Sequence, residues 1–126
     1  MTPPARARRG PRVVTPTMTA AQMHAALPET QFQDQVVELA ERAGWWWWHD
    51  TDSRRNRSGL PDLILIRPPR IVFAELKREK GRLRPLQTKV LEMLSRCPGV
   101  EQYLWRPSDW ETVKAVLTRR EPPPPT

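Results

Sequence analysis

The sequence is poor in the residues that build covalent or metal-stapled scaffolds. Cys97 is its one cysteine, which excludes an internal disulfide and any multi-cysteine zinc site. Two histidines, His24 and His49, add little metal-binding capacity, and a His-Asn-His site built on His49 and Asn56 would need more ligands than the chain offers. No apolar run approaches eighteen residues and the N-terminus lacks the apolar core of a signal peptide, so neither spanning nor secretion is indicated; the expectation is a cytoplasmic protein with no membrane partner. At 126 residues there is material for one ordinary domain, hence one site. The 15 prolines lower the apolar share to 38%, and many of them sit at the two ends.

Basic charge, by contrast, is plentiful. Twenty-one Lys and Arg against fourteen Asp and Glu leave a formal charge of +7, which favours a polyanionic partner. Between Ser53 and Lys89 eleven bases stand against three acids (Asp62, Glu75 and Glu79), a local surplus larger than that of the whole chain. Arg54, Arg55 and Arg57, just before Asp62, are candidate phosphate clamps, with Arg78, Lys80, Arg82 and Arg84 further along; the bland alternative is a solvated basic face.

Residues 1–27 mix Pro and Arg with no apolar periodicity and read as a flexible basic arm; the alternatives are a DNA-gripping role and an inert tail, including one upstream of a start at Met18. Residues 119–126, with four consecutive prolines, read as a tail, leaving 28–118 as the domain. Within it, Phe32, Val36, Leu39, Ala40 and Ala43 recur at helical spacing until Gly44 stops them. Trp45 to His49 reads as a strand with indoles alternating between two covered faces, favouring core packing over base stacking. Residues 50–60 form a polar loop closed by Gly59. Leu63 to Ile66 and Ile71 to Leu76 form a hairpin with Pro68 and Pro69 confined to its turn. A helix from Pro85 to about Arg96, a strand from Val100 to Trp105 and a last helix capped by Ser108 and ending near Thr118 follow; Cys97, at a helix end, is expected to be structural. The order is αβββαβα, an α/β fold with a mixed four-stranded sheet flanked by helices.

The hairpin carries the chemistry. If Arg67 pairs with Arg70, paired numbers sum to 137, and Asp62 stands opposite Glu75 with Cβ atoms roughly 4.5 to 5.5 Å apart. Two carboxylates that close repel unless a proton or cation is shared, which points to a hard divalent ion, Mg2+ or Mn2+. Lys77, two residues beyond Glu75, shares its face roughly 7 Å along the strand and can bring an ammonium to a water or phosphate. The arrangement suits phosphodiester hydrolysis. The ordinary alternative is a strand-start Asp beside a surface Glu/Lys pair.

GLPDLILI followed by a short turn and IVFAELK resembles the PD-(D/E)xK nuclease signature, with Asp62 as its acid and Glu75-Leu76-Lys77 as ExK. More narrowly, the chain resembles the VRR-NUC family over about residues 29–118, including the short stand-alone forms of bacteria and their phages. The Phe32-Gln33 helix opening, the His49-to-Arg55 loop, LRPLQ and the YLWRPSDW ending support it. The resemblance implies a restriction-endonuclease-like core and a Mg2+- or Mn2+-dependent DNA endonuclease for branched, flapped or junction substrates of repair or recombination, with a possible homodimer. It also implies a further metal ligand in the Leu76 carbonyl and a site or backbone contact from Gln87. The family's first-helix glutamate falls at Gln33 here; Glu29, one turn earlier, is the alternative ligand, and Glu38 lies off that face. His49 is expected near the DNA cleft. The rival readings are a catalytically degenerate DNA-binding module, motivated by Gln33, and a scaffold with no nucleic-acid role.

Overall fold

The computed structural model describes Thr19 and residues 26–50 and 59–124. Helix α1 (Glu29–Arg42) leads into β1 (Trp46–His49), the hairpin β2 (Leu63–Arg67) and β3 (Arg70–Leu76), helix α2 (Pro85–Ser95), strand β4 (Val100–Trp105), a 3-10 turn (Pro107–Asp109) and α3 (Trp110–Thr118). The sheet order is β1-β2-β3-β4, antiparallel for the first two pairings and parallel for β3 with β4. Parallel pairing of β3 with β4 requires a crossover, and α2 supplies it.

α1 forms because Phe32, Val36 and Ala40 fall on one stripe and are buried together. It ends at Gly44, whose φ of 87° is open to glycine at low cost. Strand alternation then sorts the sheet into two faces. Leu63, Leu65, Val72, Ala74, Leu76 and Trp105 point to one, where Phe32, Val36 and Ala40 of α1 and Val113, Val116 and Leu117 of α3 complete a single core. Ile64, Ile66, Ile71, Phe73 and Glu75 point to the other. There α2 packs against β4 with Leu91 buried beneath it.

Three sequence expectations need correction. Trp45 precedes the strand instead of opening it: its backbone N–H bonds Ala40 O and its indole Nε1 donates to Leu117 O at 2.8 Å, so it belongs to the core. Core packing accounts for Trp45 and Trp47 alone, because Trp46 and Trp48 are 59% and 42% exposed on the outer face of an edge strand. Ser108 does not cap α3. The chain makes a 3-10 turn first, with the Arg106 N–H donating to Asp109 Oδ2 and the Ser108 N–H to Glu79 Oε1, so Ser108 lies inside that turn and the N-cap position of α3 falls at Asp109. Cys97 is exposed, its thiol 3.5 Å from Met93 O.

Two of the counted cations are also structural. Arg70 is 1% exposed and grips Glu101 with two bonds of 2.7 and 2.6 Å, while its third nitrogen donates to Val116 O and to Arg119 O. Arg67 donates to Ala43 O, Leu117 O and Arg119 O, and both guanidinium groups lie over the Trp45 ring. These arginines close the C-terminal end of α3, where orphan carbonyls and the helix dipole favour cations, so Arg70 leaves the basic surface and the half-buried Arg67 is tied to backbone carbonyls.

Candidate active site

The observed register is Leu63 with Ala74 and Arg67 with Arg70, as the turn geometry requires, so position 62 faces position 75 one step beyond the last rung. Asp50 N–H donates to Asp62 O at 2.8 Å and Lys77 N–H to Trp105 O at 3.0 Å, which carries the pairing past the strand ends and fixes both backbones. Asp62 Oδ1 accepts the Leu76 N–H at 3.3 Å and its Oδ2 accepts from Gln33 Nε2 at 3.4 Å. Glu75 Oε2 accepts from Gln87 Nε2 at 3.0 Å and pairs with Lys77 Nζ at 3.3 Å. Its other oxygen, Oε1, is buried and has no partner among the described residues.

Electrostatically these acids are crowded. Burial, then the neighbouring Glu75 charge, push the Asp62 carboxyl up to about 7, with Glu29 adding to the repulsion and the Leu76 N–H and Lys77 opposing it. Burial raises Glu75 as well, against the pull of Lys77, with Glu29 again adding negative charge. Glu29 and Gln33 of α1 thus both reach the cluster, Gln33 by a hydrogen bond and Glu29 through its field. Among the described residues no group of three or more His, Cys, Asp or Glu has metal-holding spacing. The carboxamide at position 33 is a physical reason, since it brings a neutral oxygen where a third acid would complete a set. A desolvated acid pair with an unpartnered oxygen is nevertheless a donor set that suits a hard dication, so the residues fit one.

Gln87 is placed by helix initiation. Pro85 starts α2 with its φ already helical, and Gln87 Oε1 accepts the Arg84 N–H at 2.8 Å while Nε2 turns to Glu75. Gly59, at φ +79°, lets the incoming loop pass against this turn; a Cβ there would meet Leu86 O at 2.6 Å.

Arg78, Lys80, Arg82 and Arg84 are exposed on the loop between β3 and α2. What holds that loop is Arg106, whose Nη1 donates to Arg78 O, Glu79 O and Gly81 O at 3.0, 3.1 and 2.6 Å. Sequence reasoning passes over Arg106; its position two residues before a candidate cap signals only a turn. His49 ends β1 paired with Leu63, on the face opposite Asp62, and its Nε2 is buried without a partner among the described residues, so it is not brought to the carboxylates. Glu38 is paired with Arg42 at 3.1 Å, well exposed and outside the cluster. Arg54, Arg55 and Arg57 lie outside the described residues.

A mixed four-stranded sheet between helices, with an acid pair and a lysine gathered on its central hairpin, defines a restriction-endonuclease-like α/β core. The chain belongs to the VRR-NUC domain family, whose profile matches residues 15–106. It is a nuclease domain by that membership, and the match ends at Arg106, before α3. No curated protein and no solved structure matches the chain.

Proposed function

We propose that this nuclease is a divalent-metal-dependent DNA endonuclease that hydrolyses phosphodiester bonds in branched, flapped or junction DNA. The observation that carries this reading is the buried Glu75 Oε1 beside Asp62, without a partner among the described residues and on the same sheet face as the Lys77 ammonium. Asp62, Glu75 and the Leu76 carbonyl would hold Mg2+ or Mn2+, with Gln33 or Glu29 completing the set from α1. When bound, such an ion supplies Lewis-acid polarisation of the phosphoryl oxygen and activation of water. Lys77 steadies the nucleophile or the growing negative charge, and Gln87 keeps Glu75 from swinging away. Arg78, Lys80, Arg82 and Arg84 grip phosphates on a loop that Arg106 keeps in shape, joined by Arg54, Arg55 and Arg57 and by the basic arm of residues 1–27. Two copies would suit a two-fold junction.

The carboxamide of Gln33 favours a second reading, a DNA-binding module whose catalytic centre is degenerate. Branched, flapped and linear DNA offered with Mg2+ or Mn2+ separates the two. The nuclease reading expects cutting that Glu75→Ala and Lys77→Ala abolish while binding persists; salt-sensitive binding by the wild type with no cutting in either metal would favour the module.

A further inference from the structure

Four consecutive tryptophans open the sheet, and the structure accounts for only two of them. Trp45 is spent in the core on Leu117 O and the two guanidinium groups, and Trp47 packs inward. Trp46 and Trp48 do neither: they are 59% and 42% exposed, and both exposed aromatic side chains among the large apolar ones lie here on one strand. Exposing two indoles, side by side, forgoes several kcal/mol of burial that smaller or polar residues would not have at stake, and such a cost usually marks a binding surface.

Register places them. Trp46 pairs with Ile66 and Trp48 with Ile64, and Ile64 pairs in turn with Phe73. Phe73 is two residues before Glu75 and Ile64 two after Asp62, so both indoles stand on the carboxylate face. Trp48 lies one strand over and ~7 Å along from the acid pair, and Trp46 ~7 Å further. The half-buried Ile64, Ile66 and Phe73 form the floor between indoles and acids, and the exposed cations of the loop between β3 and α2 begin directly after Lys77 at the same end of the sheet.

We propose that Trp48 and Trp46 form a stacking platform for the unpaired bases of a single-stranded stretch of nucleic acid whose phosphate backbone enters the acid–lysine site. The proposal rests on the nuclease reading and deepens it by naming the substrate class. Indoles suit this occupant because a base offers a flat π-face whatever its sequence, while the adjoining cations take its phosphates; an apolar protein surface would leave those cations without a counter-charge. A duplex keeps its bases stacked inside and offers none to the platform. The surface therefore discriminates for DNA with unpaired nucleotides beside the scissile position.

Binding of the full chain is measured in EDTA, so that no cutting is required, with a flapped DNA carrying 2-aminopurine at successive unpaired positions and with the matching duplex. The expected result is quenching at unpaired positions within a few nucleotides of the branch. Quenching is lost in Trp48→Ala and retained in Trp48→Phe. The ratio of flap to duplex affinity should fall about tenfold per indole removed. Equal ratios in wild type and in the Trp46→Ala/Trp48→Ala variant, with unchanged circular dichroism, would overturn the platform. So would sedimentation showing that the two indoles are buried in a dimer which the double variant dissolves without altering that ratio. Cutting with Mg2+ is scored separately: a wild type that binds and quenches but never cuts removes the nuclease reading and leaves the platform, whereas cutting with an indole-independent ratio does the reverse.

Discussion

Asp62→Asn should disarm the protein and stabilise it in the same stroke. The Asp62 charge is desolvated beside Glu75, and a carboxamide keeps the acceptor for Leu76 N–H while removing the repulsion. Urea unfolding at pH 8 in EDTA should show a gain of about 1–3 kcal/mol with cutting abolished, as expected where function holds a strained group in place; a loss of stability would mean that Asp62 serves the fold. Gly59→Ala tests the other support of the site. Its Cβ would strike the Leu86 carbonyl and its φ of +79° would be strained, so unfolding should be easier by about 1–3 kcal/mol and Gln87 should be pushed off Glu75. Cutting should drop by more than the lost stability explains; unchanged cutting would remove Gln87 from the mechanism.

At the scale of elements, the arginine knot beneath α3 is the strongest test. Arg70→Ala leaves Glu101 buried without its counter-charge, with only the Tyr103 hydroxyl to hold it. Burial acts to raise the Glu101 carboxyl, yet its bonds to Arg70 and Tyr103 outweigh burial and hold it below its ordinary range. Losing that partner should cost about 3–5 kcal/mol, whereas Arg70→Met with Glu101→Leu should recover most of it, as read by chemical denaturation; equal losses would assign the effect to packing alone. Arg70 also shows where sequence reading stops. Elements, register and the acid–lysine cluster were legible because turn residues, period-2 alternation and a two-proline hairpin are local signals. Which cations face solvent was not, since burial of Arg70 depends on Glu101 thirty-one positions away. The fate of each indole depends likewise on β1 lying at the sheet edge with α2 over β4. The capping role expected of Ser108 failed because a 3-10 turn over Pro107–Asp109 moves the N-cap of α3 to Asp109.

For the whole molecule, the acid pair sets how stability varies with pH. A carboxyl whose folded pKa is raised from 3.8 to about 7 binds more protons folded than unfolded between those values, so stability should fall as pH rises from about 4 to about 7 and level off above. Glu75 is shifted in the same direction. The part of the fall due to Asp62 should be on the order of 3–4 kcal/mol across that range in EDTA, with Glu75 adding to it, as measured by urea melts, and it should be shallower with millimolar Mg2+. A rise over the same range would place the dominant titration elsewhere, for instance in Glu101. None of the described helices is long and apolar enough to cross a membrane. Whether Asp62 and Glu75 share one dication is tested most directly by titration calorimetry of Mn2+ into the full chain at pH 8. Saturable binding that Glu75→Gln and Asp62→Asn each abolish is the result expected; wild-type binding that survives both substitutions would contradict it.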